Sequence, residues 1–261
     1  MLVPSRNNLR PTLLIVNADD LGVSVPVNDE IFDLLETRRV TSATILANGP
    51  AFTHACKYLP LFPRCSFGIH LNLTEFMPIT KDALLFPIED EIGGFAGEST
   101  LRETHFTRPL ANAISAEFCA QVDRLRSAGI QISHIDSHQH IHTIPQLFPI
   151  LKRLQRRYRL RKVRISRNIY LDGLRPSRLI LLQKYAFNFM LRHLYRSWTT
   201  EGFTDFTTFW HYINNGGLSQ RSVEVMVHPG VANCEHETRL LQSSWREEVA
   251  FDFKLISYKE L

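Results

Sequence analysis

The sequence predicts an α/β protein built on a mainly parallel sheet, and three observations support this fold class. Short, nearly continuous apolar runs alternate with amphipathic segments of helical period along most of the 261 residues, a pattern typical of parallel strands covered by helices. Reactive polar residues directly follow several of the apolar runs. No Gly/Ser-rich linker and no internal repeat divides the chain, so we expect one domain over residues 1–261.

The first half of the chain contains four predicted strands and three predicted helices. The strands are residues 12–17, 42–47, 65–71 and 130–136. Ser24 is suited to cap the helix that follows the first strand, because a serine hydroxyl there accepts a hydrogen bond from the first turn. Two more helices are predicted at 51–59 and 109–128, and Gly129 ends the second of them. Residues 75–107 show Pro, Gly and scattered charge without a period, which indicates a loop-rich insertion.

The second half of the chain is less regular. Its predicted elements are strands at 162–165, 222–227 and 255–257, and helices that begin at Pro145, at 177 and at 245, the last two ending at 195 and 253. Apart from the amphipathic 177–195 helix, residues 168–220 contain no motif that predicts their structure. The alternation of strands and helices nevertheless continues, so the parallel sheet is expected to extend through this half.

The composition excludes several classes of protein. Hydrophobic residues make up 44% and charged residues 21% of the chain, which is an ordinary globular balance. No run reaches the ~18 apolar residues of a membrane span, and residues 1–11 lack the apolar core of an export signal. The four cysteines show no CxxC spacing. We therefore expect a cytoplasmic protein with reduced thiols and no nucleic-acid partner.

Positive charge is concentrated between residues 152 and 167, where nine Lys and Arg residues lie, although the formal net charge of the chain is only +4. We expect this basic run to be a solvated helix end. An anionic substrate or a membrane surface is the alternative explanation. Together with the amphipathic 177–195 segment and Trp198, the run would suit peripheral association with a membrane.

The stretch HIDSHQHIH at 134–142 is the most informative in the chain. It contains His134, His138, His140 and His142, interleaved with Asp136. Neutral imidazole is the commonest metal ligand in proteins, and carboxylate is its usual companion around a divalent ion. In an extended backbone, residues 134, 136 and 138 point to the same side. The alternative is a solvated polar loop or a structural hydrogen-bond cluster.

Reactive residues follow four different predicted strands. They are Asp19 and Asp20, His70, the histidine cluster, and His228. Ligands and catalytic groups gather at the carboxyl ends of parallel strands, so these residues are expected to meet at one edge. Asp20, His70 and a cluster histidine, His138 being one of four candidates, could bind a metal and leave coordination positions open for substrate. Asp19 is then a candidate general base and His228 a candidate general acid.

Five segments, in this order, resemble the YdjC-like (ChbG-type) carbohydrate deacetylases. They are NADDLG at 17–22, TSATILANG at 41–49, GIHLNLT at 68–74, HIDSHQHIH at 134–142 and VEVMVHPG at 223–230. The closing LISYKEL at 255–261 is similar to the end of that family. The resemblance implies a distorted, TIM-like (β/α) barrel and a hydrolase in which a metal-bound water removes the acetyl group from an N-acetylglucosamine-type sugar, free, oligomeric or lipid-linked. One departure is Leu21, where the family usually has Phe.

The resemblance also implies roles for individual residues. Asp20, His70 and His138 would bind one divalent ion, with Asp19 as the base and His228 as the acid. His140 and His142 are candidate substrate contacts. The ion is expected to be Mg²⁺ or Zn²⁺, with Mn²⁺ and Co²⁺ as alternatives, and a homodimer is a further expectation.

Three other functions remain as alternatives at this point. Metal-dependent phosphoester hydrolysis is mildly favoured by the basic run. A non-catalytic sugar-binding protein could use the same scaffold. The spacing of His134 and Asp136 is also similar to that of non-haem iron oxygenases, although the alternating helices argue against their fold.

Overall fold

The computed structural model describes residues 11–194 and 196–261. Seven strands in these residues form one sheet, in which every pairing is parallel. They are β1 (Thr12–Leu21), β2 (Ser42–Ile45), β3 (Ser66–Leu71), β4 (Ile135–Ser137), β5 (Gly202–Asp205), β6 (Ser222–Val227) and β7 (Phe253–Leu255). Their order is β4-β3-β2-β1-β6-β5, and β7 pairs with the start of β1. The prediction about an export signal concerns residues that, apart from Pro11, lie outside the described ranges.

Irregular segments continue the sheet beyond β4. Single parallel bridges join Ile135 to Val163 and Lys162 to Trp198. Further along, the backbone N–H of Asn168 donates to the carbonyl of Phe203 in β5. These links curve the sheet towards closure, which confirms the predicted α/β class and the distorted, TIM-like barrel. The predicted strand at 162–165 is wrong in detail, because its residues pair singly with two different neighbours and form no ladder.

Nine α-helices in the described ranges cover the sheet. They are α1 (Val25–Glu36), α2 (Phe52–Tyr58), α3 (Glu98–Glu103), α4 (Arg108–Ser127), α5 (Phe148–Tyr158), α6 (Arg178–His193), α7 (Phe206–Asn214), α8 (Glu235–Gln242) and α9 (Trp245–Glu248). The Ser24 hydroxyl accepts the N–H of Val27 at 3.3 Å, which confirms the predicted cap of α1. None of the helices in 11–194 and 196–261 combines the length and the apolar character needed to cross a bilayer.

The sequence pattern does not predict β5, α3, α7 or α8. β5 has only four residues, and α7 (FTTFWHYIN) is rich in aromatic and β-branched residues of modest helix propensity. Tertiary packing overrides that propensity, because Phe206 and Phe209 of α7 pack edge-on against Trp245, with ring centroids 5.7 and 5.9 Å apart. A buried aromatic cluster of this kind stabilises a helix that its own sequence only weakly favours.

Some predicted boundaries near the chain end are wrong. The final helix ends at Glu248, and Phe253 begins β7 instead of ending that helix. Two contacts explain the difference: Phe253 stacks on Trp245 with ring centroids 5.6 Å apart, and β7 pairs with β1. The last strand is thus Phe253–Leu255 instead of 255–257. Similarly, the strand predicted at 130–136 begins only at Ile135 and extends to Ser137.

The insertion at 75–107 is loop-rich but well packed. It contains a short 3-10 helix, Ala83–Ile88, and α3. Its buried apolar residues are Leu85, Ile88, Phe95 and Leu101. The buried Glu117 carboxylate of α4 accepts the backbone N–H groups of Ile79 at 3.0 Å and Thr80 at 2.8 Å. This carboxylate therefore anchors the start of the insertion to the barrel.

Candidate metal centre and catalytic site

Four strands bring the predicted site residues to one edge of the sheet. Asp19 and Asp20 are among the last three residues of β1, and His70 is the penultimate residue of β3. His138 directly follows β4, and His228 directly follows β6. Because β6 lies beside β1 in parallel register, Asp19 and His228 are neighbours at that edge.

Asp20, His70 and His138 converge on one point. Asp20 Oδ1 lies 2.8 Å from His138 Nδ1 and 3.2 Å from His70 Nε2. One nitrogen or oxygen atom from each of the three side chains lies within 4.8 Å of the other two, which is a spacing that a single metal ion could bridge. The structure therefore assembles the two-histidine, one-carboxylate group that the sequence analysis proposes.

Local features of these residues fit a metal ion. His138 Nε2 is buried and makes no hydrogen bond, although Glu75 Oε1 lies 3.2 Å away. Asp20 has a left-handed backbone with φ 66°. Such a conformation costs a non-glycine residue about 1–3 kcal/mol and tends to occur at functional sites. Two imidazoles and one carboxylate also match catalytic centres that keep coordination positions open.

The electrostatic environment of Asp20, His70 and His138 favours positive charge at this point. Burial opposes protonation of His70, but the carboxylates of Asp136 and Asp20 outweigh it and raise the pKa of His70 to about 10. Burial also opposes protonation of His138, whereas Asp20 and Glu75 raise its pKa to about 9. Burial acts against ionisation of Asp20, yet hydrogen bonds with the two histidines hold its pKa well below the usual range. A divalent cation would satisfy the same preference for positive charge.

His70 is oriented by a carboxylate behind it. Its Nδ1 atom lies 2.7 Å from Asp136 Oδ1, so its Nε2 atom faces Asp20. The Thr44 hydroxyl donates to the other Asp136 oxygen at 2.9 Å. A carboxylate that binds the remote nitrogen of a histidine fixes the ring and makes it a better metal ligand. Asp136 is therefore placed to support His70 from outside the metal group.

Arg164 is fully buried and joins three carboxylates. Its two terminal nitrogens donate to the two oxygens of Asp19, at 2.6 and 2.7 Å. One of them also lies 2.9 Å from Asp136 Oδ2, and Nε donates to Glu224 Oε1 at 2.8 Å. The acidic partners belong to β1, β4 and β6. A single guanidinium thus connects three strands directly beneath the candidate site.

One guanidinium cannot neutralise three buried carboxylates equally. Burial raises the pKa of Glu224 to about 7, although Arg164 and the Tyr258 hydroxyl both donate to it. In contrast, the bidentate ion pair with Arg164 outweighs burial at Asp19 and holds its pKa well below the usual range. Of these two residues, Asp19 therefore stays ionised, and Glu224 takes up a proton more readily.

Asp19 has a second support through Asn17. The side-chain nitrogen of Asn17, Nδ2, donates to Asp19 Oδ1 at 2.9 Å. The side-chain oxygen of Asn17, Oδ1, lies 3.1 Å from His134 Nε2. His134 is buried and stacks on Tyr258, with ring centroids 3.6 Å apart. A Cβ atom on Gly68 would lie 2.5 Å from the His134 ring, so this motif position needs glycine. His134 is thus a structural histidine.

The two candidate substrate contacts differ in their surroundings. His142 is 1% exposed, and its nitrogens lie 2.5 Å from Ser137 Oγ and 3.2 Å from the Arg164 carbonyl oxygen. The structure therefore does not bring His142 to the open edge. His140 is half-buried with φ 55° and lies edge-on to Phe203, with ring centroids 5.6 Å apart. Burial lowers the pKa of His140 to about 3, so its ring is neutral.

His228 is half-buried and lies close to two other potential ligands. Its backbone N–H donates to Glu237 Oε1 at 2.6 Å, and burial raises the pKa of Glu237 to about 6. One ligand atom from each of His228, Cys234 and Glu237 lies within 4.8 Å of the other two, and the same holds for Asp19, His70 and Asp136. The described residues therefore contain two further groups that could accept a metal.

Sequence analysis alone misses the roles of four residues of the site. Arg164 is assigned there to a solvated basic run, and no role is given to Glu75 or Glu224. Asp136 is considered there only as a carboxylate companion of the histidine cluster, not as the support of His70. One usable signal is the lone glutamate in the apolar run SVEVMV of β6, because a charge in a buried strand needs a partner. The alternation of Val163, Arg164 and Ile165 is a second signal, since it places Arg164 on one side of an extended segment.

Replacement of Arg164 by Met should destabilise the fold strongly. The change leaves three buried carboxylates without their cation, and breaking a buried ion pair in this way costs about 3–5 kcal/mol of unfolding free energy. Urea unfolding would measure the loss. Arg161→Met, at an exposed position three residues earlier, is the matched control and should stay within about 0.5 kcal/mol of the parent. Equal stability of the two variants would contradict the role given to Arg164.

Comparisons with known proteins agree with this architecture. The model of the YdjC-like protein family matches residues 13–252. A carbohydrate deacetylase of Geobacillus stearothermophilus is 37% identical over 186 residues, which is 66% of this chain and 73% of the relative. A carbohydrate deacetylase of Brevibacillus brevis is 30% identical over 263 residues, which is 95% of this chain and 92% of the relative.

A solved structure shares the fold. It is the crystal structure of a candidate cellobiose-phosphate cleavage protein from Enterococcus faecalis, with a TM-score of 0.77 over 96% of this chain and 99% of that chain. Its sequence identity is 23%, so this likeness concerns the fold alone. The family model, in contrast, spans nearly the whole chain. The chain belongs to the YdjC-like family.

Proposed function

We propose that the chain is a metal-dependent carbohydrate deacetylase, which hydrolyses an N-acetylated sugar of the N-acetylglucosamine type to acetate and an amino sugar. The two relatives described above carry the name carbohydrate deacetylase. The observation that carries the proposal is the convergence of Asp20, His70 and His138 next to an aspartate that Arg164 fixes through both oxygens. Amide hydrolysis needs an activated water, a polarised carbonyl and a proton for the amine, and the site offers a group for each need.

In this proposal, Asp20, His70 and His138 hold one divalent ion, Zn²⁺ or Mg²⁺, with Mn²⁺ and Co²⁺ as alternatives. When bound, such an ion polarises a carbonyl oxygen and acidifies water. The protein contributes the orientation of the ligands. Asp136 fixes His70 through Nδ1, and the strained backbone of Asp20 aims its carboxylate at both histidines.

Asp19 is the proposed general base. One of its oxygens lies within 4.8 Å of a His70 nitrogen, so it adjoins the metal group. Asp19 Oδ1 accepts from both Arg164 and Asn17, whereas Oδ2 accepts only from Arg164 among the described residues. A carboxylate oxygen has two lone pairs, so Oδ2 keeps one with which to take a proton from water. Because Arg164 keeps Asp19 ionised, the base is in its active form throughout the neutral pH range.

His228 is the proposed general acid. It stands beside Asp19 on the neighbouring strand end, and its half-buried ring can reach a substrate. The bond from its backbone N–H to Glu237 fixes the position of the residue. In the proposed reaction Asp19 removes a proton from the attacking water, and His228 gives a proton to the departing sugar amine. The base and acid thus act from adjacent strands.

The histidines after β4 have different proposed roles. His140, neutral and packed edge-on against Phe203, is the proposed sugar contact of the pair. His142 is enclosed by Ser137 and the Arg164 carbonyl, so we assign it a supporting role. The exposed basic residues 153, 156, 157, 159 and 161 lie on α5 and just after it, not among the groups that converge at the site. This placement gives no support to the phosphoester alternative.

Asp19→Asn should abolish acetate release from N-acetylated sugars while metal binding is retained, because the asparagine cannot accept the proton of the attacking water. The assay would use free, oligomeric and lipid-linked sugars after metal stripping and re-addition of magnesium, zinc, manganese or cobalt. Asp172→Asn, at an exposed carboxylate, is the matched control and should keep full activity. Undiminished turnover in Asp19→Asn would remove Asp19 from its role.

The same assay also tests the alternative function. Phosphate release from sugar phosphates without any acetate would favour the phosphoester alternative.

His70→Ala and His138→Ala should lose bound metal. Each change removes one of three protein ligands, and metal affinity should fall by at least about 100-fold, since even loss of an outer-shell partner costs about 10–100-fold. Metal content after dialysis against a weak chelator would measure this. The exposed His105→Ala is the control and should retain metal in the same amount as the parent. Full occupancy in either site variant would contradict the proposed ligand set.

A further inference from the structure

Helix α6 exposes an unusual number of large apolar side chains. Leu182 is 63% exposed, Tyr185 69% and Phe189 53%. Other exposed apolar residues on α6 or close to it in sequence are Leu174, Leu179, Ile180, Met190, Leu194 and Trp198. Exposed apolar side chains grouped on one helix in this way mark an interaction site. We refer to Leu179, Leu182, Tyr185, Phe189 and Met190 as the outer face of α6.

The opposite side of α6 is also apolar and binds the barrel. Phe187 and Leu191 are buried, and the Phe187 ring packs edge-on against Phe148 at the start of α5, with ring centroids 5.8 Å apart. The buried Asn188 side chain makes two hydrogen bonds to the backbone of Ser166, at 2.8 and 3.0 Å. The orientation of the helix is therefore fixed by its inner side. A helix with apolar side chains on its inner side and also on its outer face needs a second apolar environment for that outer face.

Positive charge is concentrated in the part of the chain that contains α6 and the neighbouring α5. Fourteen of the thirty Lys and Arg residues lie between 152 and 196, and Asp172 is the only carboxylate in that range. Exposed members of this set are Arg153, Arg157, Arg159 and Arg161 on or after α5, and Arg175, Arg178 and Arg196 near the ends of α6. Asp172 is itself paired with Arg175, at 3.2 Å. The outer face of α6 is thus apolar, and exposed arginines lie near both ends of α6 and on α5; we refer to these arginines as the basic border.

This charge distribution selects the class of partner. A second copy of the chain would bring two basic borders together and meet electrostatic repulsion. An anionic bilayer offers apolar depth and negative headgroups, and basic residues gain attraction near such a surface. Tyr185 and Trp198 are also of the residue types enriched at membrane–water interfaces. We propose that the outer face of α6 docks onto an anionic lipid surface, with the basic border contacting headgroups.

The length of α6 suits a helix that lies in the membrane–water interface, parallel to the bilayer surface. Its 16 residues span about 24 Å, which is shorter than the roughly 30 Å of the hydrocarbon core. No described helix meets the criteria for crossing a membrane. Interfacial helices bind through an apolar face and basic flanks without spanning the bilayer, and α6 has both features.

The helix that carries the docking face also packs, through its inner side, against the end of the barrel where the candidate site lies. The Phe187 ring packs against His142, with ring centroids 6.2 Å apart, and His142 contacts Ser137, the residue before His138. Docking through α6 would therefore hold this edge near the lipid surface. On the basis of the proposed function, the substrate class that fits this arrangement is an N-acetylated sugar carried on a lipid.

Vesicle sedimentation tests the docking directly and needs no turnover. The full chain should bind phosphatidylcholine vesicles that contain about a third phosphatidylglycerol, bind pure phosphatidylcholine weakly, and dissociate as salt is raised. Leu182→Glu/Phe189→Glu should lower the partition coefficient at least about tenfold. Phe86→Glu/Ile92→Glu makes the same chemical change at two exposed apolar positions in the insertion and should leave binding unchanged.

Three results would overturn the docking proposal. One is no binding to anionic vesicles at low salt, and another is equal loss of binding in both double variants. The third is a dimer in sedimentation analysis that Leu182→Glu/Phe189→Glu dissolves, because the outer face would then bind a second copy. Acetate assays separate this proposal from the proposed function. The α6 variant should retain activity on soluble N-acetylated sugars and lose it only on lipid-linked sugar in vesicles, whereas inactivity of the parent would challenge the function and not the docking.

Discussion

The buried ion cluster around Arg164 is the interaction on which the rest of the structure depends. Residues 162–165 form no ladder, and only single bridges join them to their neighbours. The Arg164 side chain adds the missing connection, because it binds carboxylates on β1, β4 and β6 at 2.6 to 2.9 Å. Buried carboxylates without a counter-charge are unfavourable by several kcal/mol. Barrel closure and the position of Asp19 therefore rest on the same guanidinium.

The four histidines between residues 134 and 142 have different surroundings, because the backbone changes conformation after β4. His134 and His138 lie on either side of β4, and Asp136 between them supports His70. The backbone then becomes left-handed at Gln139 and His140, so that the extended pattern stops and His142 turns back under Ser137. The contacts of His134 and His142 are those of the predicted alternative, a structural hydrogen-bond cluster. It does not describe His138, whose contacts are the carboxylates of Asp20 and Glu75.

The sequence predicts those elements that have a clear hydrophobic period and those polar residues that lie at the ends of predicted strands. Asp20, His70 and the histidine cluster can be grouped because each follows or ends an apolar run, and parallel strands end at the same edge. The choice of His138 among the four histidines comes from the family resemblance. Arg164 cannot be found from charge counting, since in one dimension it is one of nine basic residues in a run. Arg164 is buried only in the folded barrel, whereas Arg161, three residues earlier, is exposed to solvent. β5 and α7 are missed for a similar reason, because their stability comes from partners distant in sequence, such as Trp245.

The central claim is that Asp20, His70 and His138 bind the catalytic metal beside an Asp19 that Arg164 restrains. Anomalous diffraction at the zinc edge, from crystals of the full chain loaded with zinc, tests it most directly. We expect one strong peak bounded by Asp20, His70 and His138, with both Asp19 oxygens still on Arg164. A sole peak among His228, Cys234 and Glu237, or coordination by Asp19 and Asp136 instead of Asp20, would contradict it.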